Sequence, residues 1–261
     1  MSILTPTAGR QAIYRVNPVA KLAAAGIISV ALVLSIDWAS ASVALALEAV
    51  LFLFAGLTPR QFFLRTAPIW IAAPLGAVTI LLYGQASGRS HFTFLLVNVT
   101  DGSIELAIAT LLRVLAIGLP AVVLFVTVDP TDLADGLAQV LRLPSRFVLG
   151  ALAGLRLVAL FLEDWRSLEL ARRARGVGDR GKLKRFAGQA FALLVLSIRR
   201  GSKLATAMEA RGFGASNKRS WARESRLGAR DLVLVLAASA IAGAAVTVSV
   251  ATGNWNFIAG R

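Results

Sequence analysis

Five apolar runs, each close to the roughly 20 residues that a ~30 Å hydrocarbon layer demands of a helix, constrain this 261-residue chain more than any other feature. They cover Val19 to Trp38, about Ala39 to Leu57, Thr66 to Gly84, Ile104 to Val128 and Leu232 to Thr252. Backbone amides inside hydrocarbon must find their partners within the segment, so runs of this kind are read as helices. A mean hydropathy of +0.71, with 57% hydrophobic and only 16% charged residues, excludes an ordinary soluble domain. The expected fold class is therefore all-α, a polytopic membrane protein with about five transmembrane helices. Met1 to Asn17 holds no apolar core, so a retained first helix is expected rather than a cleaved leader. Two weaker blocks, Phe147 to Leu162 with Arg156 inside it and Phe186 to Ile198, are too charged or too short to count as spans.

Charge sets the orientation. The chain carries 28 Lys and Arg against 14 Asp and Glu, and the excess is unevenly placed. Arg10, Arg15 and Lys21 precede or open the first span, Arg60 and Arg65 follow the second, and 20 basic residues fall between Asp129 and Arg230. The intervening loops are nearly free of them: Ser35 to Ala41 has none, and Gln85 to Ser103 has only Arg89. The positive-inside rule then puts the N-terminus and the long basic segment in the cytoplasm and the tail from Gly253 to Arg261 outside.

Three regions follow: a membrane bundle of four helices over residues 1–128, a cytoplasmic module over 129–230 with about three helices lying at the interface, and a final span with its tail over 231–261. The module opens on Asp129-Pro130-Thr131-Asp132, where Asp129 can cap, Pro130 suits the first helical position and a helix to about Arg142 follows. Pro144 ends it and permits another, whose apolar positions Leu152, Leu155, Val158, Leu162 and Leu168 recur at helical spacing and which runs into Arg172, Arg173 and Arg175 before Gly176.

Inside that module one phrase occurs twice, 36 residues apart: Ala174-Arg175-Gly176 and Ala210-Arg211-Gly212. The same offset aligns Leu160 with Leu196, Leu168 with Leu204, Ala171 with Ala207 and Gly178 with Gly214, so a helix and its ending are repeated. Local capping accounts for part of this. Cations complement the negative end of a helix dipole, and Gly past the end takes the left-handed conformation without strain. Capping needs neither the alanine nor the matched residues upstream. The pair reads as two docking points, each aiming a planar guanidinium at an acidic groove on a partner.

In this context the chain resembles the transmembrane (T) component of energy-coupling factor transporters, prokaryotic uptake systems for vitamins and metal ions. The resemblance rests on Thr127-Val128-Asp129-Pro130-Thr131-Asp132-Leu133 through Gly136-Leu137, on Gly154-Leu155-Arg156 through Glu163, and on the two arginine motifs, the second reading Ala207-Met208-Glu209-Ala210-Arg211-Gly212-Phe213-Gly214. It implies a non-enzymatic coupling subunit. Two long helices would cross beneath the membrane and place Ala174, Arg175 and Gly176, and Ala210, Arg211 and Gly212, against two ATP-binding cassette ATPases. A membrane substrate-binding (S) component would be the third partner, and Phe186 to Ile198 the apolar face of a coupling helix.

Other classes are weaker. A phosphate loop is missing, since Gly178-Asp179-Arg180-Gly181-Lys182 has the wrong spacing and lacks the following Ser or Thr, so ATP is handled by partners. The membrane domain of a conventional ABC transporter is the nearest alternative, separated by whether a vitamin-binding membrane subunit co-purifies. A lipid-modifying enzyme would need Ala-Arg where Gln139-Val140 follows Asp135-Gly136. The chain has no cysteine, and its one histidine, His91, falls in a polar outer loop, so neither a metal site nor another cofactor is expected. Its basic charge follows membrane topology and carries no aromatic-interleaved surface, which argues against nucleic acid. Within the spans, Glu48 and Arg113 each lie nine residues in from the outer start of their runs, about 13 Å deep, and a structural ion pair between them is expected.

Overall fold

The computed structural model describes residues 12–35, 37–54, 58–84, 87–94, 97–176, 181–213 and 220–253. Eight α-helices occur among them: α1 (Pro18–Val33), α2 (Trp38–Phe54), α3 (Pro59–Tyr83), α4 (Asp101–Val126), α5 (Pro130–Gln139), α6 (Ser145–Ala174), α7 (Lys182–Ala210) and α8 (Ala229–Ala251). The chain is an all-α polytopic membrane protein. Each of the five apolar runs became a helix, with ends set by polar chemistry. Asn17 caps α1 by accepting from Val19 N at 2.9 Å, ahead of Pro18. Thr58 and Pro59 start α3 several residues before its apolar run. Thr100 and Ser103 cap α4 reciprocally, at 3.3 and 2.9 Å.

By length and composition, α3, α4, α6 and α8 can each cross a membrane, while α1 and α2 are shorter apolar helices of 16 and 17 residues. The appearance of α6 in that group differs from the reading of its apolar block as non-spanning. Its helix runs 30 residues without a break, so a sufficiently apolar window exists despite Arg156, with the arginines gathered toward the end.

The chain divides into two compact units. The first, residues 1–136 with 225–261, is the bundle. Here α4 packs on α1, α2 and α3, and α8 packs on α1 and α2. Much of the core is alanine: Ala24 and Ile28 of α1, Ala44 of α2, Ala116 of α4, and Ala238 and Ala245 of α8 form one cluster. Without a hydrophobic force between helices in lipid, such small residues allow the close backbone approach that packing requires. Gly118 shows how close it is, because a Cβ there would lie 2.9 Å from Ile69 on α3. Ala23 and Gly26 of α1, and Ser239 and Gly243 of α8, are exposed.

The loop between α3 and α4 holds a feature that apolar periodicity did not anticipate. Strands β1 (Ser90–Phe94) and β2 (Val97–Thr100) pair antiparallel. His91 Nε2 lies 2.6 Å from Asp101 Oδ1, and Arg89 N donates to Asp101 Oδ2 at 3.1 Å, which fastens the hairpin to the start of α4.

The second unit, residues 137–224, contains the end of α5 with α6 and α7. Asp129 Oδ1 accepts from Thr131 N at 2.7 Å, as its place before Pro130 predicts. The helix so started stops at Gln139 rather than near Arg142, which has a left-handed φ of +54°. The units break at 136/137 and 224/225, a few residues inside the boundaries read from the sequence, so the first turns of α5 belong with the bundle.

Candidate functional site

The repeated phrase becomes a repeated geometry. Ala174 is the last residue of α6 and Ala210 the last of α7. The next residue caps each helix: Arg175 has φ −87° and ψ 4°, and Arg211 φ −89° and ψ 10°. Each arginine spends its backbone N–H on the last turn, Arg175 toward Ala171 O and Arg173 O, Arg211 toward Met208 O and Glu209 O. The glycines then turn left-handed, with φ +69° at Gly176 and +72° at Gly212. Gly176 N closes on Arg173 O at 3.0 Å and Gly212 N on Glu209 O at 2.9 Å. Backbone and side chain therefore have separate tasks: glycine and the arginine amide finish the helix, and the guanidinium is left over.

All six residues are exposed, and neither the Arg175 nor the Arg211 side chain has a hydrogen bond or ion pair among the described residues. The nearby Arg173 differs, because it bonds Glu169 one turn back at 2.7 Å. A free arginine fork can meet a carboxylate in bidentate fashion. Gly178 and Gly214, the last matched positions of the repeat, lie outside the described residues.

What joins the two helices was not visible from the motifs. Arg200 of α7 makes a two-pronged bond to Asp164 of α6, the second prong at 3.2 Å. The two residues are separated by 36 positions, the period of the repeat, so corresponding points of the two copies touch. Farther along α7, Trp165 and Phe186 meet at a tilted angle with centroids 5.4 Å apart, and Gly188 leaves room for the Arg172 guanidinium, which a Cβ would approach to 3.1 Å. From Asp164 to Arg175, and from Arg200 to Arg211, is 11 residues in each case. Along each helix that spacing is about 17 Å.

Within the bundle, the expected pairing of Glu48 with Arg113 is corrected. The Arg113 guanidinium donates to the carbonyl of Ser35, and both Glu48 carboxyl oxygens are buried without a hydrogen-bond partner among the described residues. Equal depth along the axis was an incomplete criterion. Side chains on a helix lean toward its N-terminus, and a long arginine in an apolar setting reaches for the nearest polar end. For Arg113 that end is the α1–α2 turn, where buried Asp37 accepts from Ser40 N at 2.6 Å and from Ser249 Oγ of α8 at 2.7 Å.

A second polar cluster, also missed by motif reading, occupies the opposite end, where the chain leaves the bundle and returns. Lys21, 1% exposed, donates to Thr127 O at 3.0 Å and Thr127 Oγ1 at 2.9 Å, gripping the end of α4. Asp231, at the start of α8, accepts from Asn17 N at 2.6 Å and Gly228 N at 2.7 Å, while Asn17 Nδ2 donates to Ser225 Oγ at 2.9 Å. Gly136 of α5 lies against this knot, where a Cβ would come within 2.7 Å of Val19. The signal available beforehand was a lysine inside an apolar run, which only a buried acceptor can accommodate.

Several known proteins are similar to this chain. The sequence model of a family described as cobalt transport protein (CbiQ) matches residues 9–221. The energy-coupling factor transporter transmembrane protein EcfT of Bacillus selenitireducens is 27% identical over 254 residues, covering 91% of this chain and 92% of its own. The EcfT protein of Lactococcus lactis is 26% identical over 245 residues, covering 87% and 90%, and that of Limosilactobacillus fermentum 25% over 185 residues, covering 64% and 68%.

Proposed function

The chain belongs to the cobalt transport protein (CbiQ) family, and from that premise we propose that it is the transmembrane, energy-coupling scaffold of an ECF-type ABC importer for a vitamin or metal ion. It acts in the prokaryotic cytoplasmic membrane, with its N-terminus in the cytoplasm and its C-terminus outside. Two ABC ATPases receive the α6 and α7 ends, Arg175 entering one and Arg211 the other. A separate membrane subunit binds the substrate. The chain itself performs no catalysis; it converts the approach of two ATPases into a movement of helices.

One observation carries this reading: two helix ends, identical in backbone conformation, project unpaired arginines at equal distances from a shared contact point. A scaffold that must engage two similar partners needs two similar plugs. The test is co-expression with candidate ATPases, comparing Arg175→Glu, Arg211→Glu and the double variant by co-purification and substrate uptake. Reversing a buried interfacial charge costs about 2–5 kcal/mol, so each single variant should lose most of one ATPase and the double variant should fail to assemble. Reversal of exposed Arg199, within α7, serves as control. Normal assembly and uptake by the double variant would sink the docking assignment.

A further inference from the structure

Glu48 is 1% exposed, and neither carboxyl oxygen has a partner among the described residues. It faces a partly open cavity of about 450 Å³ lined by α1, α2, α4 and α8 together with Ile13 and Val16. The walls are almost wholly apolar, with Ile28, Phe52, Val123 and Val233 among them. A second polar side chain, exposed Arg230, stands on the lining at the start of α8. Glu48 lies six residues, about 9 Å, from the end of α2, and that end and the start of α8 lie on the same side of the bundle.

A buried carboxyl without a donor is costly, and the cations of the bundle interior are engaged elsewhere. Lys21 gives its ammonium to Thr127, and the Arg113 guanidinium turns to Ser35. The cavity supplies the Glu48 carboxyl and an apolar wall, and the basic residue on its lining, Arg230, is exposed and not hydrogen-bonded to that carboxyl. Its volume falls in the range of small-molecule sites, where apolar walls and a few placed polar groups share the work of recognition.

We propose that this cavity binds an amphiphilic amine, its ammonium donating to Glu48 and its hydrocarbon body lying against the walls formed by α1, α4 and α8. An ammonium offers three donors and a compensating charge, where an alcohol offers one donor and no charge. The amine can be free, or borne by a lipid whose phosphate meets Arg230 at the rim.

The full chain, purified in detergent and stripped of lipid, is tested by thermal unfolding and native mass spectrometry with decylamine, decanol and decanoate. Decylamine should raise the melting temperature and appear as a bound adduct, with decanol and decanoate giving neither. Glu48→Gln removes no existing contact, so it should fold as well as the parent and bind decylamine at least roughly tenfold more weakly. Ala237→Leu, on the less buried part of the lining, narrows the cavity and should weaken binding by sterics. Lysophosphatidylethanolamine and lysophosphatidylglycerol separate the sources. Stabilisation by the ethanolamine form makes the amine lipid-borne, and stabilisation by decylamine alone makes it free. Equal binding of decanol and decylamine, or undiminished amine binding by Glu48→Gln, overturns the proposal. So does loss of a membrane partner subunit from Glu48→Gln with amine binding intact, since the carboxyl would then belong to a helix–helix interface.

Discussion

At the residue scale, single positions hold this molecule through close approach and burial. Gly136 has Val19 where its Cβ would be, so Gly136→Ala should destabilise the bundle by about 1–3 kcal/mol through overpacking. Thermal unfolding measures this, and Gly150→Ala, where nothing lies within 4 Å, provides the contrast. Lys21→Met keeps the stem and deletes the ammonium, leaving the Thr127 carbonyl buried without its donor, an expected cost of about 1–3 kcal/mol in the same assay. These two residues also mark how far sequence reading reached. Lys21 was visible as a basic residue and was read for topology; its partner is 106 positions away. Glu48 and Arg113 were visible as intramembrane charges, but depth along an axis carries no information about which way a side chain leans.

At the element scale the reading went further, because apolar period and caps are local. The sequence expects α6 to run through Arg175 and stop at Gly176, and it ends one residue earlier, at Ala174, with Arg175 as its cap; Pro144 at one side and an arginine cluster followed by Gly176 at the other are strong punctuation. The β1–β2 hairpin escaped, although Ser90 to Phe94 and Val97 to Thr100 alternate with period two; a membrane-length search does not look for that pattern. The Asp164–Arg200 contact escaped because pairing across two helices is a tertiary fact. Its worth can be measured by a double-mutant cycle with Asp164→Ala and Arg200→Ala in the assembled protein. As the pair is half-exposed, a coupling of about 1 kcal/mol is expected, and the swap Asp164→Arg with Arg200→Asp should recover much of it. A coupling near zero would remove the contact as the joint between α6 and α7.

At the scale of the whole molecule the proposed topology is directly checkable. The chain has no cysteine, so single introduced thiols report their own side of the membrane. Ser90→Cys in the hairpin should react with an impermeant thiol reagent added to intact cells, and Ser220→Cys in the basic segment only after permeabilisation. The reverse pattern would overturn the orientation drawn from Lys and Arg placement. Composition and charge made this scale legible early, since a 20-residue apolar run and a one-sided basic excess are properties of long windows and survive local error. The compact units were less legible. Their boundaries depend on Gly136 and Asn17 meeting Val19 and Ser225, contacts between residues remote in the chain.

The equal arms of α6 and α7 have unequal counterparts on the other side of their contact. From Asp164 back to Ser145 is 19 residues, and from Arg200 back to Lys182 is 18, against 11 on the arginine side. That contact is no lone pivot: Trp165 meets Phe186 and the Arg172 guanidinium lies against Gly188, so α6 and α7 touch along a stretch of each helix. In the proposed docking, a push on Arg175 or Arg211 would therefore be shared by both helices, and the pair would respond together.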